Sequence, residues 1–285
     1  MEDKLDIDNV LNVIRQNIKL DGSEWELLGF ISRSKQVLAF GSDSKILGRL
    51  FEVAVKPFLK QAAKDLGYEF GESQEQTVYP DFWFKTPNEK LIAIDIKSTY
   101  RKFNRHDKLK PFNFTLGAYS SFLRDGTKNI YKKYSDYLAH IVVGFLYTRN
   151  DEATVKTTSI EKIDTIKAPY KNVEFFVQEK YKIAGQKKGS GNTNNIATIK
   201  SSNIADFRKG KSYFTVLGND IFEEYWRNYP LYTDSASKKE ELYTDLSGYF
   251  EWLRKSKKDE GAKKAERLEN LYATWKNNPD NLGIK

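Results

Sequence analysis

The chain has 285 residues and no cysteine, which excludes disulfides, thiolate metal sites and cysteine nucleophiles, and it is long enough to bury a sizeable core as one large domain or two small ones. Its 47 lysines and arginines against 39 aspartates and glutamates give a formal charge of +8, a bias toward polyanions such as nucleic acid or an anionic membrane surface. With His106 and His140 as its two histidines, a histidine-rich metal site or a Ser-His-Asp hydrolase is poorly supported. The start, Met1-Glu2-Asp3-Lys4, has no apolar signal segment, and the longest apolar run, residues 138–148, is too short to span a bilayer, so a cytoplasmic protein is expected.

In residues 5–19, Leu5, Val10, Leu11 and Ile14 recur at near-helical spacing and predict a first helix. Residues 25–40 read as two strands around Ser32-Arg33-Ser34-Lys35. A long helix follows over residues 45–66, where Leu47, Leu50, Phe51, Ala54, Phe58 and Ala62 form one apolar stripe; Ser42 or Asp43 serves as N-cap and Gly67 as the stop. Glu52 lies beside that stripe, either paired with Lys56 one turn on or reaching an adjoining site.

Asp81-Phe82-Trp83-Phe84 then runs into the turn cluster Thr86-Pro87-Asn88-Glu89 and on to Ile92-Ala93-Ile94-Asp95-Ile96-Lys97, which predicts a hairpin. Ile92, Ile94 and Ile96 alternate with Ala93, Asp95 and Lys97, so one face is expected to be buried and the other to carry Asp95 one pleat from Lys97. If Lys85 faces Lys90, Asp81 falls within about one residue of Asp95.

Residues 100–110 hold Arg101, Lys102, Arg105, Lys108 and Lys110 around Phe103 and Leu109, a solvated loop or one that orders against phosphates. Apolar, β-rich runs recur at 141–147 and 173–177, with His140 at the edge of the core. The whole is expected to be α/β, a mixed central β-sheet flanked by helices, without internal repeat or linker. Residues 186–195 are polar and glycine-bearing, a flexible turn by composition; glycines there also let the backbone approach base edges, and asparagine matches adenine in the major groove. Beyond residue 257, Leu268, Leu271 and Trp275 give a helical stripe among Lys263, Lys264, Arg267 and Lys276, read as packing of a terminal helix.

Two carboxylates held close together repel unless a hard cation sits between them, and oxygen ligands of this kind suit Mg²⁺. A lysine beside them steers water and phosphate, so the set points to phosphodiester hydrolysis. Each piece alone is equally well a solvated strand face with an exposed ion pair. Together, Pro80-Asp81, 13 intervening residues and Asp95-Ile96-Lys97 match the PD-(D/E)xK nuclease signature.

Further runs carry a wider resemblance: Phe40-Gly41-Ser42-Asp43-Ser44-Lys45, Leu50-Phe51-Glu52, Tyr79-Pro80-Asp81-Phe82 and Ile92 through Tyr100, then Phe114-Thr115-Leu116-Gly117, Thr127-Lys128-Asn129-Ile130, Ile183-Ala184-Gly185, Gly189-Ser190-Gly191-Asn192-Thr193 and Tyr225-Trp226-Arg227-Asn228-Tyr229. In this order, over residues 28–257, the chain resembles the EcoRV-type class of type II restriction endonucleases. The resemblance implies a restriction-endonuclease-like (PD-(D/E)xK) core in a single domain, 1–285, with 1–40 contributing to dimerisation, 41–257 as catalytic and DNA-binding core and 258–285 outside the match. It implies a homodimeric, Mg²⁺-dependent prokaryotic enzyme that cuts both strands of double-stranded DNA at a short palindrome, leaving 5′-phosphates. The family's target is GATATC, cut bluntly. A cognate DNA methyltransferase and no membrane partner go with it.

By the same resemblance Asp81 and Asp95 hold the metal, Lys97 positions water and phosphate, and Glu52 is a further active-site carboxylate and metal ligand. Base reading falls on Gly189, Ser190, Gly191, Asn192 and Thr193 with Asn195 in support, and backbone or minor-groove contacts on Lys45, Gln76, Thr99, Tyr100, Ser121 and Lys128. The chain departs from the family where Asn194 replaces a second threonine, where Glu75-Gln76-Thr77 replaces a glutamine-rich loop, and where Gly126 replaces an asparagine. Two other readings share the motif: a structure-specific repair or junction-resolving nuclease, and a catalytically silent DNA-binding protein.

Overall fold

The computed structural model describes residues 6–20, 25–73, 75, 77–189, 194–231, 242–256 and 258–284. Helix α1 (Ile7–Asn17) precedes β1 (Phe30–Ile31), β2 (Gln36–Phe40), the long helix α2 (Ser44–Leu66), β3 (Glu69–Glu72), β4 (Phe82–Lys85) and β5 (Leu91–Tyr100). Next come β6 (Thr115–Ala118), a wide helical turn (Ser120–Asp125), β7 (Tyr137–Arg149), β8 (Val155–Ser159), β9 (Tyr170–Glu179), β10 (Ala184–Lys188) and β11 (Asn195–Thr198). Helices α3 (Ile204–Arg208), α4 (Phe214–Leu217), α5 (Asn219–Asn228), α6 (Leu246–Ser256) and α7 (Lys258–Asn277) follow.

The central sheet has five strands in the order β3-β4-β5-β7-β9. All neighbours are antiparallel except β5 and β7, which run parallel. This is the mixed sheet expected from the sequence, with helices on its faces. One face packs Phe84, Ile92, Ile94, Ile96 and Phe145 against Val10, Ile14, Phe51, Val55 and Leu59 of α1 and α2. The other packs Ala93, Val142, Leu146 and Phe176 beneath Phe114, Leu116, Tyr119 and Trp226. Strand β5 is therefore buried on both faces from Leu91 to Ile96, where alternation had predicted one. A strand between two partners and two packed layers has no wet side, and its small Ala93 leaves room for the second layer.

Local chemistry sets the ends of α2. The Asp43 side chain accepts from the backbone N–H groups of Lys45 and Ile46, and Gly67 stops the helix at φ 70°, a left-handed conformation that glycine adopts without steric cost. Trp25 does not belong to a strand: its indole stacks on Phe58 at 5.6 Å and lies 5.4 Å from Phe145, which leaves only Phe30–Ile31 for the first strand of the expected hairpin. On β7, Gly144 pairs with Phe176, and a Cβ there would meet that ring at 2.1 Å.

Two smaller sheets flank the centre, β1-β2-β8 and β10-β11-β6. Helix α7 buries Ala265, Leu268 and Trp275, and the Trp275 indole donates to the Lys211 carbonyl at 3.2 Å. Leu271, expected in that stripe, is 37% exposed. Among the described residues no helix is long and apolar enough to cross a membrane.

Candidate active site

The β4–β5 ladder pairs Phe82 with Ile94 and Lys85 with Leu91. That register is one residue away from the pairing of Lys85 with Lys90, and the shift carries Asp81, immediately before β4, from opposite Ile94 to opposite Asp95. Asp81 Oδ2 accepts from the Ile96 N–H at 2.7 Å. Asp95 is only 4% exposed, and its Oδ2 lies 2.8 Å from Lys97 Nζ. That oxygen is buried and receives no hydrogen bond of good geometry, so the contact is an ion pair rather than an aligned bond.

Burial pushes the Asp81 carboxyl up to about 8, and the negative Asp95 with which it shares a hydrogen bond pushes the same way; Lys97 and the Ile96 N–H oppose both. For Lys97, burial works against the charged form, but Asp95, Asp81 and the more distant Glu52 outweigh it and raise its pKa. The lysine is therefore a firm cation at neutral pH, and the Asp81 carboxyl beside it keeps its proton through neutral pH when no other cation is present.

Glu52 does not join the two aspartates. It is ion-paired with Arg49 one turn back, while Lys56, its expected partner, is engaged by Glu72 at 2.6 Å. Glu52 and Asp81 nevertheless line one cleft of about 220 Å³ together with Arg49, Lys56 and Ser73.

The remaining expected contact residues are spread around this point. Thr99 is half-buried on the same strand face as Asp95 and Lys97. The Tyr100 ring is covered by the Arg149 guanidinium at 4.2 Å. Lys45 is exposed in the first turn of α2, and Lys128 is exposed beside Asn129, whose carbonyl accepts from the Tyr79 N–H at 3.0 Å. Ser121 is half-buried in the wide turn, where its carbonyl accepts from the Gly126 N–H. In the basic loop, Arg101 is occupied by the Asn172 carbonyl and Glu174, whereas Lys102, Arg105, Lys108 and Lys110 are exposed. Gly189 donates to the Asn195 carbonyl at 2.8 Å, and the Asn194 carbonyl accepts from the Tyr119 N–H at 2.9 Å. Gln76, Ser190, Gly191, Asn192 and Thr193 lie outside the described residues.

Behind the acids is a group that sequence patterning did not single out. The Tyr79 hydroxyl and His140 Nδ1 are 2.6 Å apart, His140 stacks on Tyr134 at 3.7 Å, and Lys180 lies over the Tyr79 and Tyr134 rings. His140 is buried rather than at the core edge, and burial together with the nearby Lys180 holds its imidazole well below the usual histidine value. Nothing in Gln178-Glu179-Lys180 marks that lysine as different from a solvated one.

A mixed sheet that brings two carboxylates and a lysine together on neighbouring strands defines the class of restriction-endonuclease-like nucleases. The chain belongs to the EcoRV restriction endonuclease family, whose profile, Restriction endonuclease EcoRV, matches residues 21–254. It is 38% identical over 242 residues to the type II restriction enzyme EcoRV of Escherichia coli, an alignment covering 84% of this chain and 95% of the relative. The solved NlaIV restriction endonuclease aligns over 99% of this chain and 92% of its own at 10% identity and a TM-score of 0.37, a distant likeness that bears on neither site nor activity. The chain is accordingly a type II restriction endonuclease, an enzyme that acts on DNA.

Proposed function

We propose that this enzyme is a Mg²⁺-dependent homodimer that hydrolyses both strands of duplex DNA at GATATC, cutting bluntly and leaving 5′-phosphates, in the cytoplasm of a prokaryote whose own sites a cognate methyltransferase protects. The observation that carries the reading is the buried pair of Asp81 and Asp95 with Lys97 drawn onto it.

The donor set fits a hard cation. Two carboxylates share one buried spot, and Asp95 Oδ2 lacks an aligned donor. Among the described residues no group of three or more His, Cys, Asp or Glu is placed to hold a metal. Asp81 and Asp95 would thus be the protein's share of the ligands, the remainder being water and phosphate oxygens, as suits Mg²⁺. When bound, Mg²⁺ supplies charge against the phosphate and lowers the pKa of water. Lys97 stays protonated and acts through charge and hydrogen bonding, holding the phosphate and the attacking water in line. The Ile96 N–H fixes the orientation of Asp81. Glu52, once released by Arg49, assists from the same cleft.

Base reading by residues 189–195 is supported by the closed base of that loop. The Asn194 side-chain oxygen also lies 3.4 Å from the Tyr119 hydroxyl, which donates to the Pro230 carbonyl at 2.9 Å, so the residue that departs from the family is turned toward the fold, which favours an unchanged target. The exposed faces of Lys45 and Lys128 and the half-buried Thr99 and Ser121 suit backbone contacts. We read the whole chain as one nuclease domain, with the outward face of β1, β2 and β8 as its dimer contact.

The test is to incubate the protein with long DNA of known sequence and Mg²⁺, beside Asp95→Asn, and to sequence the fragment ends. Blunt ends within GATATC, absent from the control, are expected. Ends at another palindrome would remove the target alone; cutting at branched structures without sequence preference, or no cutting, would remove the restriction reading.

A further inference from the structure

Lys180 follows β9 directly, and its N–H donates to the His140 carbonyl at 2.7 Å, which fixes it against β7. Its side chain is 1% exposed, and it is the only buried lysine among the described residues. The ammonium has no hydrogen-bond partner among them. It sits instead over three rings: Tyr79 at 4.8 Å, Phe122 at 5.2 Å and Tyr134 at 5.4 Å. An ammonium buried without hydrogen bonds is costly, and ring quadrupoles offset only part of that cost. Some other negative group must compensate.

The groups facing it are identifiable. Burial pulls its pKa down to about 8; the fields of Asp95 and Glu223 favour its charge, and that of Lys97 opposes it. His140 is held neutral, and burial keeps the phenols of Tyr79 and Tyr134 protonated. Lys180 remains mostly a cation at neutral pH. Asp95 pairs with Val142 and Val142 with Gln178, two residues before Lys180, so Asp95 and the cage of Lys180 lie on the same face of the central sheet, the face that also carries Ala93, Tyr79 and Tyr134. Its cage also joins two segments. Tyr79 stands two residues before Asp81, and Phe122 stands beside Ser121.

We propose that Lys180 is a positioning residue of the cleavage site: its caged ammonium is a fixed counter-charge to Asp95 from inside the fold, and the same cage ties the Tyr79-Pro80-Asp81 segment to the Ser120–Asp125 turn. With Asp95 balanced from behind, Lys97 is not its sole cationic partner and is free to turn to phosphate. This last consequence rests on the role proposed above for Lys97.

A double-mutant cycle on the metal-free full chain tests it, with Lys180→Met, Asp95→Asn and the double variant unfolded in denaturant. Lys180→Met is expected to lower the folding constant about tenfold more when Asp95 is present than when it is asparagine. An equal loss in both backgrounds would mean that the lysine merely fills the cage, and would overturn the proposal. If Lys180→Met folds only alongside Asp95→Asn, the coupling stands; if it folds in neither, the proposal falls. The cycle needs no metal or DNA, so it is independent of whether the chain cuts. In the cutting assay, Lys180→Met is expected to slow the single-turnover rate at saturating DNA and Mg²⁺, and an unchanged rate would overturn the positioning role.

Discussion

At Asp81 the chemistry of the site becomes a dependence on pH. Its folded pKa of about 8 lies above that of an unfolded carboxylate, so its contribution to stability is complete below the unfolded value and is lost as pH rises through about 8. Metal-free protein should therefore unfold in less denaturant at about pH 9 than at about pH 5, and Asp81→Asn should flatten that fall, gaining on the order of a few kcal/mol at the alkaline end. A steeper fall in the variant would contradict the assignment. If the proposed Mg²⁺ is held by Asp81 and Asp95, it competes with the proton on Asp81, so its half-saturating concentration should drop as pH rises toward about 8, with proton release visible by calorimetry in buffers of different ionisation enthalpy. Lys97 is shifted upward too and stays charged throughout this range, so Lys97→Ala should cost on the order of 10²- to 10³-fold in cleavage rate and, because the lysine no longer holds the Asp81 pKa down, should move the acid limb of the pH profile to higher pH.

Among the elements, α2 and the β4–β5 hairpin were legible because their signals are local: an Asp43 cap, a Gly67 stop, a turn cluster after Phe84, and alternation through Ile96. The Asp81–Asp95 encounter was legible only to within a residue, since the pairing of Lys85 with Leu91 depends on how the 86–90 turn closes, with Thr86 N–H bonded to the Lys90 carbonyl at 2.9 Å. Burial of both faces of β5, the place of Trp25 in the core and the seclusion of Lys180 are set by neighbours distant in sequence, and no window of the chain contains them. Helix α7 shows the same limit, because Ala265 rather than Leu271 completes its inward stripe with Leu268 and Trp275. Leu268→Ala should then cost about 2–5 kcal/mol in denaturant unfolding. Leu271→Ala should cost less than about 1 kcal/mol. Equal losses would mean that the helix is rotated from the position described.

The whole molecule carries +8 and presents an apolar face on β1, β2 and β8. The positive charge favours any DNA, so affinity for non-cognate duplex should fall steeply with salt. The apolar face is a different matter. Phe30, Leu38 and Val155 point outward from β1, β2 and β8 at 50%, 43% and 76% exposure, with Phe30 packed on Phe40 at 5.3 Å, while Val37 and Ala39 face the interior. Helix α1 cannot extend that surface with its own apolar stripe, because Val10, Leu11 and Ile14 are spent against α2 and the central sheet. Among the described residues of 1–40, the hairpin is therefore the part that the proposed dimer would use. A two-fold contact sets each residue near its counterpart, so one added charge becomes a repelling pair near the axis. If the proposed dimer forms through this face, the unaltered chain should sediment as a dimer and Leu38→Glu as a monomer at the same concentration, with loss of coordinated cutting of both strands. Its stability should change by less than about 0.5 kcal/mol when both proteins are unfolded at concentrations low enough for each to be a monomer, since the side chain lies outside both large cores. A Leu38→Glu protein that still sediments as a dimer would move the contact to another face of the molecule.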